Sequence, residues 1–246
     1  MKKFGQIGFF VLALAIIGLL AVALMMFGAR LGLWEPLVGF LLYINYLNPI
    51  GYVLSALGVG AAVFHIRRRQ TPAALAAGLA LVIGLACLTP MIMNTVLPGE
   101  DLPPIHDITT DTANPPVFLA LDDSRPGAKN TLVYGGAEIA EMQLAAYPDI
   151  GPIKSDLGPE AAYERALSIA RDAAGWDIVA ANADSLRFEA STTTPVLYFT
   201  DDIVVVVGEE GEASRIDVRS VSRIGRGDRG VNAERIRKFR DAFEDQ

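Results

Sequence analysis

Long stretches without charge in the first hundred residues predict membrane-spanning helices. The first stretch lies between Lys3 and Arg30 and predicts a span over about residues 5–29, and the last predicts a span over about residues 72–96. Both exceed the roughly 20 apolar residues that a helix needs to cross a bilayer. An Ala-Val-Ala sequence ending at Ala23 resembles a signal-peptidase site, but hydrophobic residues follow it, which favours an uncleaved anchor.

The middle stretch, Pro36–Ile66, is uncharged apart from His65 and is too long for one upright span. An Asn-Pro pair at residues 48–49 divides it, because asparagine caps helices and proline is tolerated in a first turn. We therefore expect the second span over about residues 49–66. The aromatic-rich residues Trp34–Leu47 are expected to lie at the membrane interface.

Small residues recur every fourth position in the third stretch, at Ala76, Ala80 and Gly84. Such a ladder lets helix backbones approach closely in lipid, where small side chains replace hydrophobic collapse as the source of tight packing. The alternative interpretation is a chance pattern in an alanine-rich helix.

Beyond residue 97 the hydrophobic pattern becomes that of a water-exposed domain. Residues 98–116, rich in Pro, Asp and Thr, are expected to form a connector, and residues 117–246 an α+β domain. Helical spacing of apolar residues predicts helices over Glu160–Ala174 and Val231–Phe243. Four strand-like runs lie between them, at Trp176–Ala181, Leu186–Thr193, Ile203–Val207 and Arg215–Ser222.

A short strand at Val117–Leu121 completes the predicted order β-α-β4-α, with a further short element at Ala137–Ala146. Short connections between the strands imply a four- to five-stranded antiparallel sheet with both helices on one face. Charged residues alternate onto the other face, which is expected to be solvated, with an open ligand groove as the alternative. These charged residues are Arg187, Glu189, Asp217 and Arg219.

The charge distribution divides the chain in the same place. Residues 1–99 contain six basic residues and one acidic residue, whereas residues 100–246 contain 15 basic and 27 acidic residues, a net charge of −12. An acidic domain argues against nucleic acid as a partner, because binding there requires phosphate neutralisation by Lys and Arg. The single cysteine, Cys87, falls in a predicted span, so the domain has no disulfide and no structural zinc site.

Positive charge also predicts the orientation of the spans. Lys2, Lys3 and the cluster Arg67–Arg69 fall on one side of the predicted spans, and Arg30 alone falls on the other. Basic residues are enriched in cytoplasmic loops. We therefore expect a multi-pass plasma-membrane (inner-membrane) protein with a cytoplasmic N-terminus and an extracytoplasmic, periplasmic C-terminal domain.

A basic cluster from Arg219 to Arg235 is the first candidate site. Its arginines approach the predicted start of the last helix, where free backbone N–H groups favour phosphate, a lipid headgroup or another anion. The alternative is structural: Asp217, Asp228 and Glu234 pair with the arginines, and Asn232 caps the helix. The candidate anion-binding residues are Arg219, Ser220, Ser222, Arg223, Arg226, Asn232 and Arg235.

Glycines at 225, 227 and 230 match the spacing G-x-G-x-x-G. A dinucleotide site would need a parallel β-α-β unit, and no strand pattern follows the last predicted helix, so we do not interpret the spacing as a cofactor site. The glycines are instead expected to permit tight turns.

The sequence His106-Asp107 with Asp111 is the second candidate, for a hard cation or for acid–base chemistry. His106 is the only histidine in the domain, and the segment has no G-x-S-x-G nucleophile elbow. The structural alternative is a turning segment that docks on the domain through Asx-type hydrogen bonds.

Motif residues spread over about residues 104–243 carry a family resemblance. They are Ile105–Asp111, Tyr147-Pro148, Gly175-Trp176, Asp201–Val204, Asp217–Arg223, Gly225, Asp228, Gly230, Asn232-Ala233 and Arg235-Ile236. With them the chain resembles the bacterial family known as domain of unknown function 1499. The resemblance implies a recurring domain, on some members with a helical membrane anchor, but no catalytic roles. Val206 stands where the resemblance leads us to expect an arginine.

The preferred functional hypothesis is non-catalytic binding of an envelope partner or an anionic ligand by the domain outside the cytoplasm. One alternative is a hydrolase that uses His106 with Asp107 or Asp111. Another is an assembly subunit whose spans pack on other membrane proteins. The expected partners are the lipid bilayer and envelope proteins or an anionic ligand, with no cofactor and no bound metal.

Overall fold

The computed structural model describes residues 6–99, 101–211 and 213–245. The chain forms two compact units, one extending to residue 100 and the other comprising most of the chain from Asp101. The first unit contains three helices, and the second contains a sheet with its own helices and hydrophobic core.

The helical unit contains α1 (Ile7–Phe27), α2 (Pro36–Arg67) and α3 (Thr71–Val96). All three are long and apolar enough to cross a membrane. The first and third agree with the predicted spans. The predicted break before Pro49 is wrong, because α2 is one helix of 32 residues with Pro49 inside it. Proline is tolerated inside apolar helices of this kind when neighbouring groups satisfy the backbone that it frees.

The length of α2 exceeds what a bilayer requires. At about 1.5 Å per residue it extends about 48 Å, against a hydrocarbon core about 30 Å thick. If Arg67 marks one edge of the bilayer, the first residues of α2 extend beyond the other edge. Tyr43 and Tyr46 lie among these residues, and Trp34 precedes them. An interfacial position for Trp34–Leu47 stays a prediction.

The ladder of small residues in α3 forms a close helix contact. Ala76, Ala80 and Gly84 are all buried. A Cβ atom at Gly84 would lie 2.6 Å from the backbone nitrogen of Ser55 and 3.0 Å from the carbonyl oxygen of Gly51, both in α2. The backbones therefore meet where a methyl group does not fit, which supports packing rather than chance.

His65 joins α2 to the start of α1. Its side chain is fully buried, and its Nε2 accepts the backbone N–H of Gly8 at 3.1 Å. Its Nδ1 lies 2.7 Å from the side-chain oxygen of Gln70, so the proton belongs on Nδ1. Both ring nitrogens are thus used to hold the helices together, and the N–H of Gly8 is one of the first-turn donors that has no partner within its own helix.

The domain is an α+β fold, as predicted. Its sheet has the strand order β1-β6-β5-β4-β3, with β2 also paired to β6, and every pairing is antiparallel. The elements in chain order are β1 (Asp107–Thr109), α4 (Ala137–Ala146), β2 (Ile153–Ser155), α5 (Pro159–Asp172), β3 (Trp176–Asn182), β4 (Arg187–Thr193), β5 (Thr200–Glu210), β6 (Ala213–Ser222) and α6 (Val231–Glu244).

Two short strands extend the predicted sheet. The strand β1 lies within the expected connector, and β2 lies in a turn-rich region, so that the sheet has six strands rather than four or five. The predicted strand at Val117–Leu121 is wrong, since that segment has no regular structure. Three-residue strands are below the length at which alternation is recognisable.

The hydrophobic core lies between one face of the sheet and the helices α5 and α6, as expected. Phe188, Ile203, Val205 and Val218 from the three long strands are at most 1% exposed. Trp176 is partly buried and stacks on Phe239 of α6, with ring centroids 5.9 Å apart.

The other face of the sheet is not solvated, which corrects the prediction. Residues 110–136, here called the covering segment, contain only turns and bends and lie over this face. Arg219 and Glu189 are 1% and 2% exposed beneath it. Charged alternation in a strand normally indicates a water-exposed face, but here the charges bind the backbone of the covering segment.

The close contact at Gly84 yields a matched test. Gly84→Ala should lower the stability of the helical unit by about 1–3 kcal/mol, because the methyl group overlaps the backbone of α2. Gly78→Ala, in the same helix and facing open space, should leave stability unchanged or raise it slightly through helix propensity. Thermal unfolding of both variants in mild detergent compares them, and equal melting temperatures would refute the close packing.

Candidate functional site

Arg219, the centre of the predicted anion site, is fully engaged within the domain. It pairs with Asp107 of β1 through two hydrogen bonds of 2.9 and 2.7 Å. Its remaining donors bind the carbonyl oxygens of Pro116 and Leu132 at 3.0 and 2.8 Å. With its donors directed at acceptors of the protein itself, this guanidinium is unavailable to an external anion.

Aromatic rings complete the surroundings of this arginine. The guanidinium carbon of Arg219 lies 5.5 Å from the ring centroid of Phe118 and 5.4 Å from that of Tyr134. Burial and the negative charge of Asp107 raise the pKa of Tyr134 to about 12. Tyr134 therefore stays neutral, and its aromatic ring packs beside the guanidinium of Arg219.

Arg223 is engaged in the same way on the same face. It binds the carboxylate of Asp202 through Nε and at 2.7 Å through NH2, and it donates to the carbonyl oxygen of Pro126. Arg125 of the covering segment donates to the same carboxylate at 2.5 Å. Asp202 is fully buried between the two arginines, and the oxygen of Ser191 donates to it as well.

Glu189 explains why the covering segment does not form the predicted strand. Its carboxylate accepts the consecutive backbone N–H groups of Leu119, Ala120 and Leu121, at distances from 2.5 to 3.1 Å. In a strand these groups would point alternately to opposite sides. Their convergence on one buried carboxylate needs a curled backbone.

The other predicted anion-site residues lie on the opposite face of the sheet. Residues alternate across β6, so Ser220 and Ser222 face the helices while Arg219 and Arg223 face the covering segment. Ser220 donates to the side-chain oxygen of Asn232 at 2.7 Å, and the amide of Asn232 donates to Ser222 at 2.9 Å. The sheet therefore divides the predicted site in two.

Arg235 joins the half of the site that lies beneath the helices. It donates to Asp201 at 2.5 Å and to the oxygen of Ser220 at 2.8 Å. Its side chain retains 11% exposure, so that Arg235 stays partly accessible.

The start of α6 is occupied by a carboxylate of the chain itself. Asp228 accepts the backbone N–H groups of Gly230 and Asn232 at 2.9 and 2.7 Å. Burial raises the pKa of Asp228, and these two hydrogen bonds oppose the rise. The expectation that Asn232 caps the helix is wrong, because Gly230 is the N-cap residue, with φ of 81°, and the Asn232 side chain is directed to the serines.

Arg226 remains exposed at the surface, and its carbonyl oxygen lies 3.4 Å from Nδ1 of His106. His106 itself does not meet a free carboxylate. Asp107 binds Arg219, and Asp111 binds Arg215 at 2.6 Å. Among residues 6–99, 101–211 and 213–245, no group of three or more His, Cys, Asp and Glu could hold a metal ion.

Asp111 begins the first turn of the covering segment, where its carboxylate accepts the backbone N–H groups of Ala113 and Asn114. Burial alone would raise the pKa of Asp111, but the backbone N–H groups of Asn114 and Ala113 and the guanidinium of Arg215 together lower it. These contacts match the expected Asx-type turn that docks on the domain.

An open groove lies on the helix-covered side of the domain. It has a volume of about 820 Å³ and is lined by the end of α5, the start of β3, the residues at the end of β4 and one side of α6. Trp176 and Phe239 form its aromatic floor, with their rings 11° from parallel. Clefts of about 300–1,000 Å³ with apolar walls and a few polar groups are typical ligand sites.

Three cations and two carboxylates line this groove: Arg229, Arg235 and Lys238, with Asp172 and Glu234. Arg229 is exposed and forms no ion pair within the described ranges. Lys238 is 75% exposed and lies 3.4 Å from Glu234. An ion pair this exposed to water contributes little stability. No sequence pattern predicted this groove, although cations at helical spacing beside Phe239 were a signal for it.

The structure predicts that replacing one arginine of the cluster lowers the stability of the domain strongly and that replacing another has almost no effect on it. Arg219→Leu should lower the free energy of unfolding by about 3–5 kcal/mol, because it leaves Asp107 buried without its partner. Exposed Arg226→Leu should change it by less than about 0.5 kcal/mol. Urea unfolding of the full chain, followed by Trp176 fluorescence in a Trp34→Phe background, measures both. An unchanged midpoint for Arg219→Leu would mean that the pair does not stabilise the fold.

In the comparison with known proteins, the part of the chain that matches a family is the α+β domain. No curated protein matches the chain. The model of the family described as protein of unknown function (DUF1499) matches residues 107–243, from the first residue of β1 to the last turn of α6. The match covers more than half of the chain and leaves the three apolar helices outside it. The resemblance inferred from the motifs is confirmed: the chain belongs to the DUF1499 family.

Proposed function

We propose that this chain is a multi-pass protein of the bacterial plasma membrane that holds its α+β domain outside the cytoplasm. We further propose that the domain binds an anionic ligand or envelope partner without catalysing a reaction. The open groove beside α6 is the observation that carries this proposal.

The orientation is supported by the positions of the basic residues. The cluster Arg67–Arg69 lies at the C-terminal end of α2, and Lys2 and Lys3 precede α1. Both positions fall on the same side of the three helices if each crosses the membrane once. Positive charge is enriched on the cytoplasmic side, which puts the chain after α3 on the other side.

The location of the site is supported by a contrast between two groups of arginines. Arg219 and Arg223 are saturated by buried carboxylates and backbone carbonyl oxygens. The cations along α6 instead border an open groove, and Arg229 among them has its charge uncompensated within the described ranges. An external anion therefore gains more from the groove than from the covered face.

The hydrolase alternative receives less support from the same geometry. It requires His106 to act with a carboxylate that is free to orient it. Asp107 and Asp111 are both committed to arginines, and His106 does not line the groove.

The orientation is tested with alkaline phosphatase, which becomes active only outside the cytoplasm. Fusion after Gln246 should give an active enzyme, and fusion after Gln70, in the connection between α2 and α3, should give an inactive one. Enzyme activity in intact cells, normalised to the amount of fusion protein, is the measurement. The reverse pattern would place the domain in the cytoplasm and remove the proposed role.

The groove is tested by native mass spectrometry of the full chain released from mild detergent. The unaltered protein should retain an anionic adduct, and the double variant Arg229→Gln/Lys238→Gln should lose most of it, because both changes remove a positive charge and keep a polar side chain. Lys129→Gln, on the covering segment, is the matched control and should retain the adduct. Equal retention by all three proteins would exclude the groove as the site.

A further inference from the structure

We infer that the ligand of the groove is an anionic single-chain amphiphile, with an acyl tail along the aromatic floor and a carboxylate or phosphate head beside Arg229. This inference rests on the proposed function and names the class of ligand for the same site. The bilayer is the source of such a molecule.

The floor of the groove requires an apolar ligand part. The stacked rings of Trp176 and Phe239 lie in a cleft of about 820 Å³, and Val231 at its edge is 44% exposed. The binding free energy becomes more favourable by roughly 25 cal/mol for each Å² of apolar surface that a ligand removes from water. An inorganic anion would leave this surface wet, so that it cannot account for the shape of the site.

The cations of the lining come before its last apolar residues along the chain. Arg229 precedes α6, Arg235 and Lys238 lie within it, and Phe239 and Ala242 follow them. From Val231 to Ala242 the helix rises about 16 Å, which gives an elongated groove with distinct ends. A linear molecule with one charged end matches this order.

The head is expected near Arg229 rather than at the helix N-terminus. The first N–H groups of α6 already bind Asp228, and most of the charge of Arg235 is offset by Asp201. Arg229 supplies the uncompensated charge, and the mostly exposed Lys238 is able to move towards a bound anion.

A peptide fits the groove less well because the backbone along its walls is already satisfied. Thr194 donates its N–H to Phe199 at 2.8 Å, and Trp176 donates to Ala173 at 3.2 Å. Glu234 donates to Gly230 at 2.9 Å within α6. A peptide main chain bound here would lose water without gaining backbone partners, at a cost that an acyl chain does not incur.

The test uses the fluorescence of the groove itself. The chain has two tryptophans, so Trp34→Phe leaves Trp176 as the only one. The full chain in nanodiscs of neutral lipid is titrated with dibrominated stearate, whose bromine atoms quench tryptophan on contact. We expect saturable quenching that unbrominated stearate reverses by competition.

A matched pair of substitutions separates the groove from the surrounding bilayer. Ala174→Phe fills the groove from an exposed position and should reduce quenching at least fivefold. Ala145→Phe, equally exposed on α4, should leave quenching unchanged. Equal quenching in the Ala174→Phe variant would show that the label acts from the bilayer, and would overturn the inference.

The charge of the head is tested separately. The neutral methyl ester of the same brominated acid should bind about tenfold more weakly than the acid. Arg229→Gln/Lys238→Gln should weaken binding of the acid about tenfold and leave binding of the ester unchanged, while Lys129→Gln should change neither. Equal affinity for acid and ester would overturn the anionic head.

Two further results distinguish failure of this inference from failure of the proposed function. If a short acidic peptide changes Trp176 fluorescence and brominated stearate does not, the groove binds a peptide and the lipid class is wrong. If no anionic probe binds and the adduct is equally retained by the Arg229→Gln/Lys238→Gln protein, both proposals fall.

Discussion

The domain depends on charged side chains that are buried under a segment without regular structure. Removing a charge from water costs several kcal/mol unless partners replace the lost hydration. Arg219 has two bonds to Asp107 and two to carbonyl oxygens of the covering segment, and Glu189 accepts three backbone N–H groups of the same segment. Each buried charge is therefore compensated only when the covering segment adopts this one path.

This arrangement determines which surfaces of the domain stay open. One face of the sheet is filled by the core beneath α5 and α6, and the other is closed by the covering segment. The groove beside α6 is left as an open concave region, and it is bordered by Arg229, which has no ion pair within the described ranges. Arg219 and Arg223, which are saturated beneath the covering segment, are thus different residues from the groove cations Arg229, Arg235 and Lys238, although all five lie within 20 positions of one another in the sequence.

The helical unit is organised by a different kind of contact. Buried charges are too costly in a bilayer, and lipid offers little hydrophobic drive for helix association. Close approach at Gly84 and the hydrogen bonds of His65 provide the specificity instead. The two units therefore use opposite solutions: buried ion pairs in the domain, and close backbone packing in the helical unit.

Repeating local patterns in the sequence were enough by themselves to identify most of the helices and strands of this protein. Uncharged stretches identified α1 and α3, helical spacing identified α5 and α6, and alternation identified β3 to β6, because each pattern reports burial over neighbouring residues. Only the tertiary structure decided the continuous α2, the short strands β1 and β2, the covering segment and the division of the Arg219–Arg235 cluster across the sheet. The contacts that fix β1 and the covering segment join residues about 70 to 110 positions apart, as between Glu189 and Leu119 or Arg219 and Asp107, and no periodicity encodes such pairs.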